Sequence, residues 1–296
     1  MDSPGFIVEP PFYLLAGPNP GWETYRLPMK SSSRLTLTTA ALFIAAFPSL
    51  AADKPGYTDT AQITGQKWRV HDAERPQPRT VTPGKTFSHG AAAPSDAVVL
   101  FDGTDLSKWT KGGKPAPWKV ENGYMEVVGK SGSIQTKDKF GSYQLHVEFA
   151  EPTPPKGHSQ ERANSGIFMH GIYEVQILDC YENPTYADGT LGGIYGQWSP
   201  LANAAKPPGE WQSYDIIFEA PKVDGGKVLE PAHITVLVNG IVTQHRQTIL
   251  GPTKHRDLAR YEANTPTTGP IELQDHGDPV RFRNIWVRPI GEYDKQ

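Results

Sequence analysis

Glu174, Gln176 and Asp179 sit within one short segment, Tyr173-Glu174-Val175-Gln176-Ile177-Leu178-Asp179. Polar and apolar residues alternate from Glu174 to Ile177, the period of a half-buried strand, so Glu174 and Gln176 share one face. Strict alternation turns Asp179 to the opposite face, and one bulge residue near Leu178 returns it. Two carboxylates so placed on a concave sheet can supply an acid and a base to a sugar. The same residues also suit a rim charge and a turn, and a pattern this short leaves both readings open.

A second candidate is His276, in Leu273-Gln274-Asp275-His276-Gly277-Asp278. It falls in a turn between two predicted strands, where an imidazole can face a cleft as acid, base or metal ligand, or simply bond the backbone. Other chemistries are missing from the chain. It has no Gly-rich phosphate loop, no dinucleotide fingerprint, no Gly-x-Ser-x-Gly elbow, no His-Glu-x-x-His helix and no cysteine cluster. The lone cysteine, Cys180, rules out an intramolecular disulfide and reads as a small buried hydrophobe. A formal net charge of −3, with basic residues scattered, gives no footprint for nucleic acid.

The elements that must position these groups are short strands. The chain has 296 residues with 29 glycines and 28 prolines, and no long helical period. Asn122-Gly123 between Trp118–Glu121 and Tyr124–Val128 marks a two-residue hairpin. Asn239-Gly240 marks another, and Gly171-Ile172 separates Ser165–His170 from Tyr173–Leu178. Tyr143–Phe149 alternates cleanly, and Tyr214–Ala220 and His233–Val238 are rich in strand formers. In Val280–Arg288, Phe282 has one parity and Ile285 and Val287 the other, which a bulge near Arg283-Asn284 reconciles. About a dozen such strands predict an all-β fold, a two-sheet antiparallel β-sandwich of jelly-roll type. The polar loop Pro152–Asn164 suits either a lid or a plain surface loop.

The N-terminal region divides by composition. Met29–Arg34 is a basic n-region, Leu35–Phe47 an apolar h-region, and Ser49–Ala52 a small-residue cleavage site. Residues 29–52 thus read as a signal peptide, with 1–28 upstream of the true start, and the h-region is too short to span a bilayer comfortably. The expectation is an exported protein with no membrane span after processing. Residues 53–96 are Pro-rich and read as an extended arm or linker, of a kind that can lie over the domain surface. The compact domain runs over 97–290, with 291–296 a tail.

Five segments carry a resemblance: Leu100–Trp109, Asn164–Phe168, Tyr173–Asp179, Gly209–Tyr214 and Gly269–Gly277. Their order and spacing resemble the 3-keto-disaccharide hydrolase domain family over about 97–290. The resemblance implies a concanavalin-like jelly roll in an exported bacterial protein that acts on oxidised glycosides. The same fold houses laminarinase-type retaining β-glucanases, whose catalytic strand reads Glu-x-Asp-x-x-Glu. The matching positions here are Glu174, Gln176 and Asp179, so the middle acid is an amide and the last is one methylene shorter. Retaining hydrolysis needs two carboxyls about 5–5.5 Å apart, which these changes disfavour.

A 3-keto sugar offers another route. The C3 carbonyl acidifies the C2 proton, a base removes it, the C1 substituent leaves by β-elimination, and water adds back. Glu174, Asp179 and His276 are the proton-transfer candidates. Gln176, Gln274 and Arg162 can bond sugar oxygens or the enolate. Tyr195 and Trp198 can stack on a pyranose, while Trp211 begins an apolar strand and reads as core. No cofactor is firmly indicated; a divalent metal at the enolate oxygen is an open alternative to protein donors. The expected partner is an oligosaccharide or glycoside substrate. Two competing readings are a non-catalytic carbohydrate-binding domain and an ordinary β-glucanase.

Overall fold

The computed structural model describes residues 54–85 and 88–291. The signal-peptide segment, the stretch upstream of it and residues 292–296 lie outside the described residues. In chain order the strands are β1 (Val98–Phe101), β2 (Trp109–Lys111), β3 (Lys114–Pro115), β4 (Lys119–Glu121), β5 (Tyr124–Glu126), β6 (Ile134–Thr136), β7 (Tyr143–Ala150) and β8 (Ser165–Met169). They continue as β9 (Tyr173–Ile177), β10 (Gln212–Glu219), β11 (Lys222–Asp224), β12 (Lys227–Glu230), β13 (His233–Val238), β14 (Ile241–Thr248), β15 (Glu272–Leu273) and β16 (Arg281–Pro289).

Two antiparallel sheets pack face to face, as the strand pattern predicts. The larger runs β14-β13-β10-β7-β16-β5-β4 with β1 on β16, and the smaller runs β3-β2-β6-β15-β8-β9. Alternate residues fill the space between them. Leu145, Val147 and Phe149 of β7 and Tyr214, Ile216 and Phe218 of β10 are fully buried, as are Ile167, Met169, Tyr173, Val175 and Ile177 of the smaller sheet. Each such side chain contributes about 1.5–3 kcal/mol by leaving water. Among the described residues no helix is long and apolar enough to cross a membrane.

Local chemistry places the turns. Asn122-Gly123 and Asn239-Gly240 both adopt positive φ, the requirement of a two-residue hairpin that only Gly and Asn meet readily. The β8–β9 turn differs from expectation. Met169 pairs with Tyr173, so the loop is three residues, with His170 and Gly171 at positive φ. The β16 bulge lies where parity required it. Register shifts between Arg283 and Trp286, Asn284 takes φ +45°, and Phe282, Ile285 and Val287 all reach the core.

One finding departs from the expected half-exposed strand. Every residue of β9 is buried, because residues 192–198 run along its edge. Gly192 N donates to Gln176 O, Gln176 N to Gly193 O and Tyr195 N to Glu174 O. The arm is packed down as well. Tyr57 N donates to His71 O at 2.7 Å and Ala73 N to Tyr57 O at 3.1 Å. The buried His71 puts its backbone N–H on Asp188 Oδ2 at 2.9 Å and its Nδ1 3.0 Å from Asp188 Oδ1. Farther along, Ser88 Oγ donates to Asp215 and Gly90 N to Glu148 on the outer face of the large sheet. Proline-rich composition forbade helix here but did not forbid docking.

Candidate active site

Strand register builds the site. Glu272 of β15 stands opposite Phe168 of β8, and Phe168 opposite Glu174 of β9. Gly166 stands opposite Gln176, and its carbonyl accepts from Gln274 N. Residues opposite one another in a sheet share a face. Two rows therefore cross the smaller sheet on the side away from the core, Glu272–Phe168–Glu174 and Gln274–Gly166–Gln176.

Glu174 is the central group. It is 4 % exposed, and its carboxyl has no protein hydrogen-bond partner among the described residues, while its backbone N donates to Thr253 Oγ1 at 2.9 Å. Burial pushes the carboxyl up to about 8, and the Glu272 carboxylate adds to the rise. Gly166 makes the room. A Cβ built there would lie 2.6 Å from Glu174 Oε1.

The remaining groups converge on the same cleft. Gln176 Nε2 donates to Gln160 Oε1 at 2.9 Å, while the buried Oε1 atoms of Gln176 and Gln274 have no partner. Such orphaned acceptors suit hydroxyl groups of a ligand. Tyr195 Oη lies 2.7 Å from Tyr186 Oη and 3.1 Å from His255 Nδ1. Burial lowers the His255 imidazole, helped by His71, Arg256 and His276. One compartment of about 280 Å³ is lined by Glu174, Gln176, Phe168, Thr253 and Gln274 together with Asn164, Tyr195, His255 and His276. A second, of about 650 Å³, shares those last four and continues over the arm.

The structure thus brings Glu174, Gln176, Gln274, Tyr195 and His276 together. It does not bring the others. Asp179, expected beside Glu174, is turned into an ion pair with Arg162, Nε to Oδ2 at 2.7 Å, and also accepts from Tyr181 N. Burial raises the Asp179 carboxyl and Arg162 opposes that rise. The physical reason for the correction is that β9 ends at Ile177, so strand alternation stops before Asp179. Arg162 also donates to Tyr181 O, so the pair ties the cleft-lining loop to the end of β9. Trp198 packs against the core and donates its Nε1 to Thr248 O at 2.8 Å, which leaves it out of the cleft. Trp211, expected in the core, is half-buried beneath the Arg283 guanidinium, 4.0 Å from the ring centroid. Cys180 is buried, and burial pushes its thiol up to about 12. Among the described residues no group of three or more His, Cys, Asp or Glu is arranged to hold a metal ion.

The family model for the 3-keto-alpha-glucoside-1,2-lyase-like domain matches residues 96–288, more than half of the chain. The chain belongs to this family. The 3-keto-disaccharide hydrolase of Bacteroides thetaiotaomicron is 28% identical over 241 residues, covering 65% of this chain and 78% of that protein. The crystal structure of a candidate glycosyl hydrolase from Parabacteroides distasonis shares 48% identity with a TM-score of 0.66, covering 73% of this chain and 93% of that one. Membership of the 3-keto-alpha-glucoside-1,2-lyase-like family supports a glycoside hydrolase-like function.

Sequence reasoning missed His255, Thr253, Gln160 and Gly166 as parts of the site. Thr253 and His255 come from a loop with no strand period, so nothing local flagged them. Gly166 had a signal, a glycine inside a strand, which marks close approach of another group. Its φ is not in the left-handed region, so the backbone accepts alanine. Gly166→Ala is expected to displace the Glu174 carboxyl and lower turnover about 10²-fold with the fold intact. Steady-state rates alongside far-ultraviolet circular dichroism check this; unchanged rates in a folded variant contradict it.

Proposed function

We propose that this protein cleaves 3-keto-glycosides by removing the C2 proton and eliminating the C1 substituent, with water then adding to give net hydrolysis. The observation that carries the reading is the buried, partnerless Glu174 carboxyl, which lines one compartment together with the orphaned amide oxygens of Gln176 and Gln274. The family description, a 3-keto-alpha-glucoside-1,2-lyase-like domain, and the name of the Bacteroides relative, a 3-keto-disaccharide hydrolase, support the same substrate class. Elimination followed by hydration reconciles a lyase with a hydrolase.

In this mechanism the two proton-transfer roles fall to groups whose environments drive them apart. His255 is held below the ordinary imidazole value, so it is neutral near pH 7 and accepts the C2 proton. The C2 electron pair forms the C1=C2 bond as the C1–O bond breaks. Glu174, still protonated near pH 7, gives its proton to the departing oxygen. The orphaned Oε1 atoms of Gln176 and Gln274 accept from ring hydroxyls, and the Gln274 Nε2 donates to the C3 oxygen, where enolate charge gathers. His276 stands on the same wall as His255 and orders the sugar there. Water adds at C1, C2 regains its proton, and no glycosyl–enzyme bond forms. The segment 29–52 supports export from a bacterial cell, with 53–96 an arm on a catalytic domain at 97–290.

The test is isotopic. A 3-keto-disaccharide deuterated at C2 should react more slowly than its protium form under single-turnover conditions. An equal rate, with chemistry rate-limiting, removes C2 abstraction from the mechanism.

A further inference from the structure

Nothing in the family match covers residues before 96, yet the arm forms a wall of the cleft. We propose that the arm residues Lys54–Tyr57 build a subsite for a second sugar ring, the leaving group, and that Tyr57 sets the preference for it. This rests on the reading above for which ring reacts; the subsite itself rests on geometry.

The cleft has two compartments joined through a shared wall of Asn164, Tyr195, His255 and His276. The bond to be broken belongs at that wall, where the proposed base stands. The reacting ring then fills the smaller space against Glu174, and the leaving group the larger one. A space of about 650 Å³ is within the usual range for ligand sites and far exceeds the needs of a methyl or water leaving group.

Its walls have the chemistry of a sugar site. Pyranose rings present an apolar C–H face and a rim of hydroxyls. The larger compartment offers the half-buried Tyr57 ring for the face, and Ser159, Gln160 and Glu161 for the rim. The Arg256 guanidinium lies 4.0 Å from the Tyr57 ring centroid and braces it from one side. Arg256 is itself held by Asp59, at 2.8 and 3.0 Å.

The arm is rigid enough to discriminate. Gly56 sits at φ +121°, and a Cβ there would strike His71 O at 2.5 Å, so only glycine lets the two arm segments close. Those segments are clamped by the Tyr57–His71 and Ala73–Tyr57 backbone bonds, and His71 is fixed on the buried Asp188. The backbone bonds are independent of the Tyr57 side chain, so truncating the ring leaves the arm's path intact.

Calorimetric titration with unreactive probes reads the subsite without turnover. An unoxidised glucose disaccharide should bind the wild-type protein about tenfold tighter than methyl glucoside, the gain of burying one more ring against an aromatic wall. Tyr57→Ala should erase that preference and Tyr57→Phe should keep it. His158→Ala, at another lining residue of the same compartment, should weaken it and serves if Tyr57→Ala misfolds. In kinetics, the ratio of kcat/KM for a 3-keto-disaccharide over methyl 3-keto-glucoside should fall about tenfold in Tyr57→Ala. No disaccharide preference in the wild type, or equal losses on both probes, overturns the subsite. A preference that depends on Tyr57 in a protein that turns over neither 3-keto substrate keeps the subsite and overturns the chemistry instead.

Discussion

Glu174→Gln should lower turnover of a 3-keto-disaccharide by about 10²–10⁴-fold, the usual contribution of one acid–base group. The amide keeps the shape of the carboxyl and cannot give up a proton to a departing oxygen. Nothing in the described protein bonds to that carboxyl, so the replacement breaks no hydrogen bond. The pH profile makes the test specific. An acid must hold its proton, so the wild-type rate should fall as pH rises through about 8, where Glu174 ionises. It should also fall on the acid side once His255 is protonated, below the ordinary imidazole range. The residual rate of Glu174→Gln should lack the alkaline limb. Stability gives an independent reading. The folded-state value of Glu174 lies above its unfolded value, so the folded protein binds more protons between about 4.5 and 8. Stability therefore falls as pH rises across that window, and Glu174→Gln removes this contribution. The melting temperature of the variant should gain on the wild type up to about pH 8. A retained alkaline limb together with near-normal turnover would falsify the assignment of Glu174 as the acid.

What the sequence disclosed follows from what is local in it. The alternation from Glu174 to Ile177 is local, and those residues do face two sides of a strand. The Asn-Gly turns and the β16 bulge are likewise local demands of backbone geometry and parity. Register between strands is not local. The row that sets Gln274 beside Gly166 comes from a pairing more than a hundred residues apart in sequence. Asp179 shows the limit of period counting. Its parity counts only while the strand continues, and β9 ends first, leaving Arg162 to take the carboxylate. The arm shows another. Composition excluded regular structure and said nothing of the contacts, Asp188 to His71 above all, that dock an irregular chain.

The parent disaccharide, not oxidised at C3, should release no sugar while its 3-keto form is cleaved. Without the C3 carbonyl the electrons left at C2 have nowhere to delocalise, and a neutral imidazole is far too weak a base to remove that proton. The remaining route is direct hydrolysis, which requires a second carboxyl at the reacting ring to act as nucleophile or to activate water. Among the described residues, Glu174 is the one carboxyl lining the smaller compartment; Glu161 lines only the larger. Glu272, in the same cross-strand row, is separated from Glu174 by Phe168 and does not line either space. Asp179 is neutralised by Arg162 outside the cleft. Among the described residues the smaller compartment, where the reacting ring is placed, therefore lacks the carboxyl pair that an ordinary β-glucanase uses. Following release of reducing sugar from both forms at matched concentration decides the matter. Equal cleavage of the two would sink the elimination mechanism and return the protein to conventional glycosidases. Binding of both with turnover of neither would mark it as a carbohydrate-binding domain. Cleavage of the oxidised form alone is the outcome that a single protonated carboxyl beside a neutral imidazole can produce.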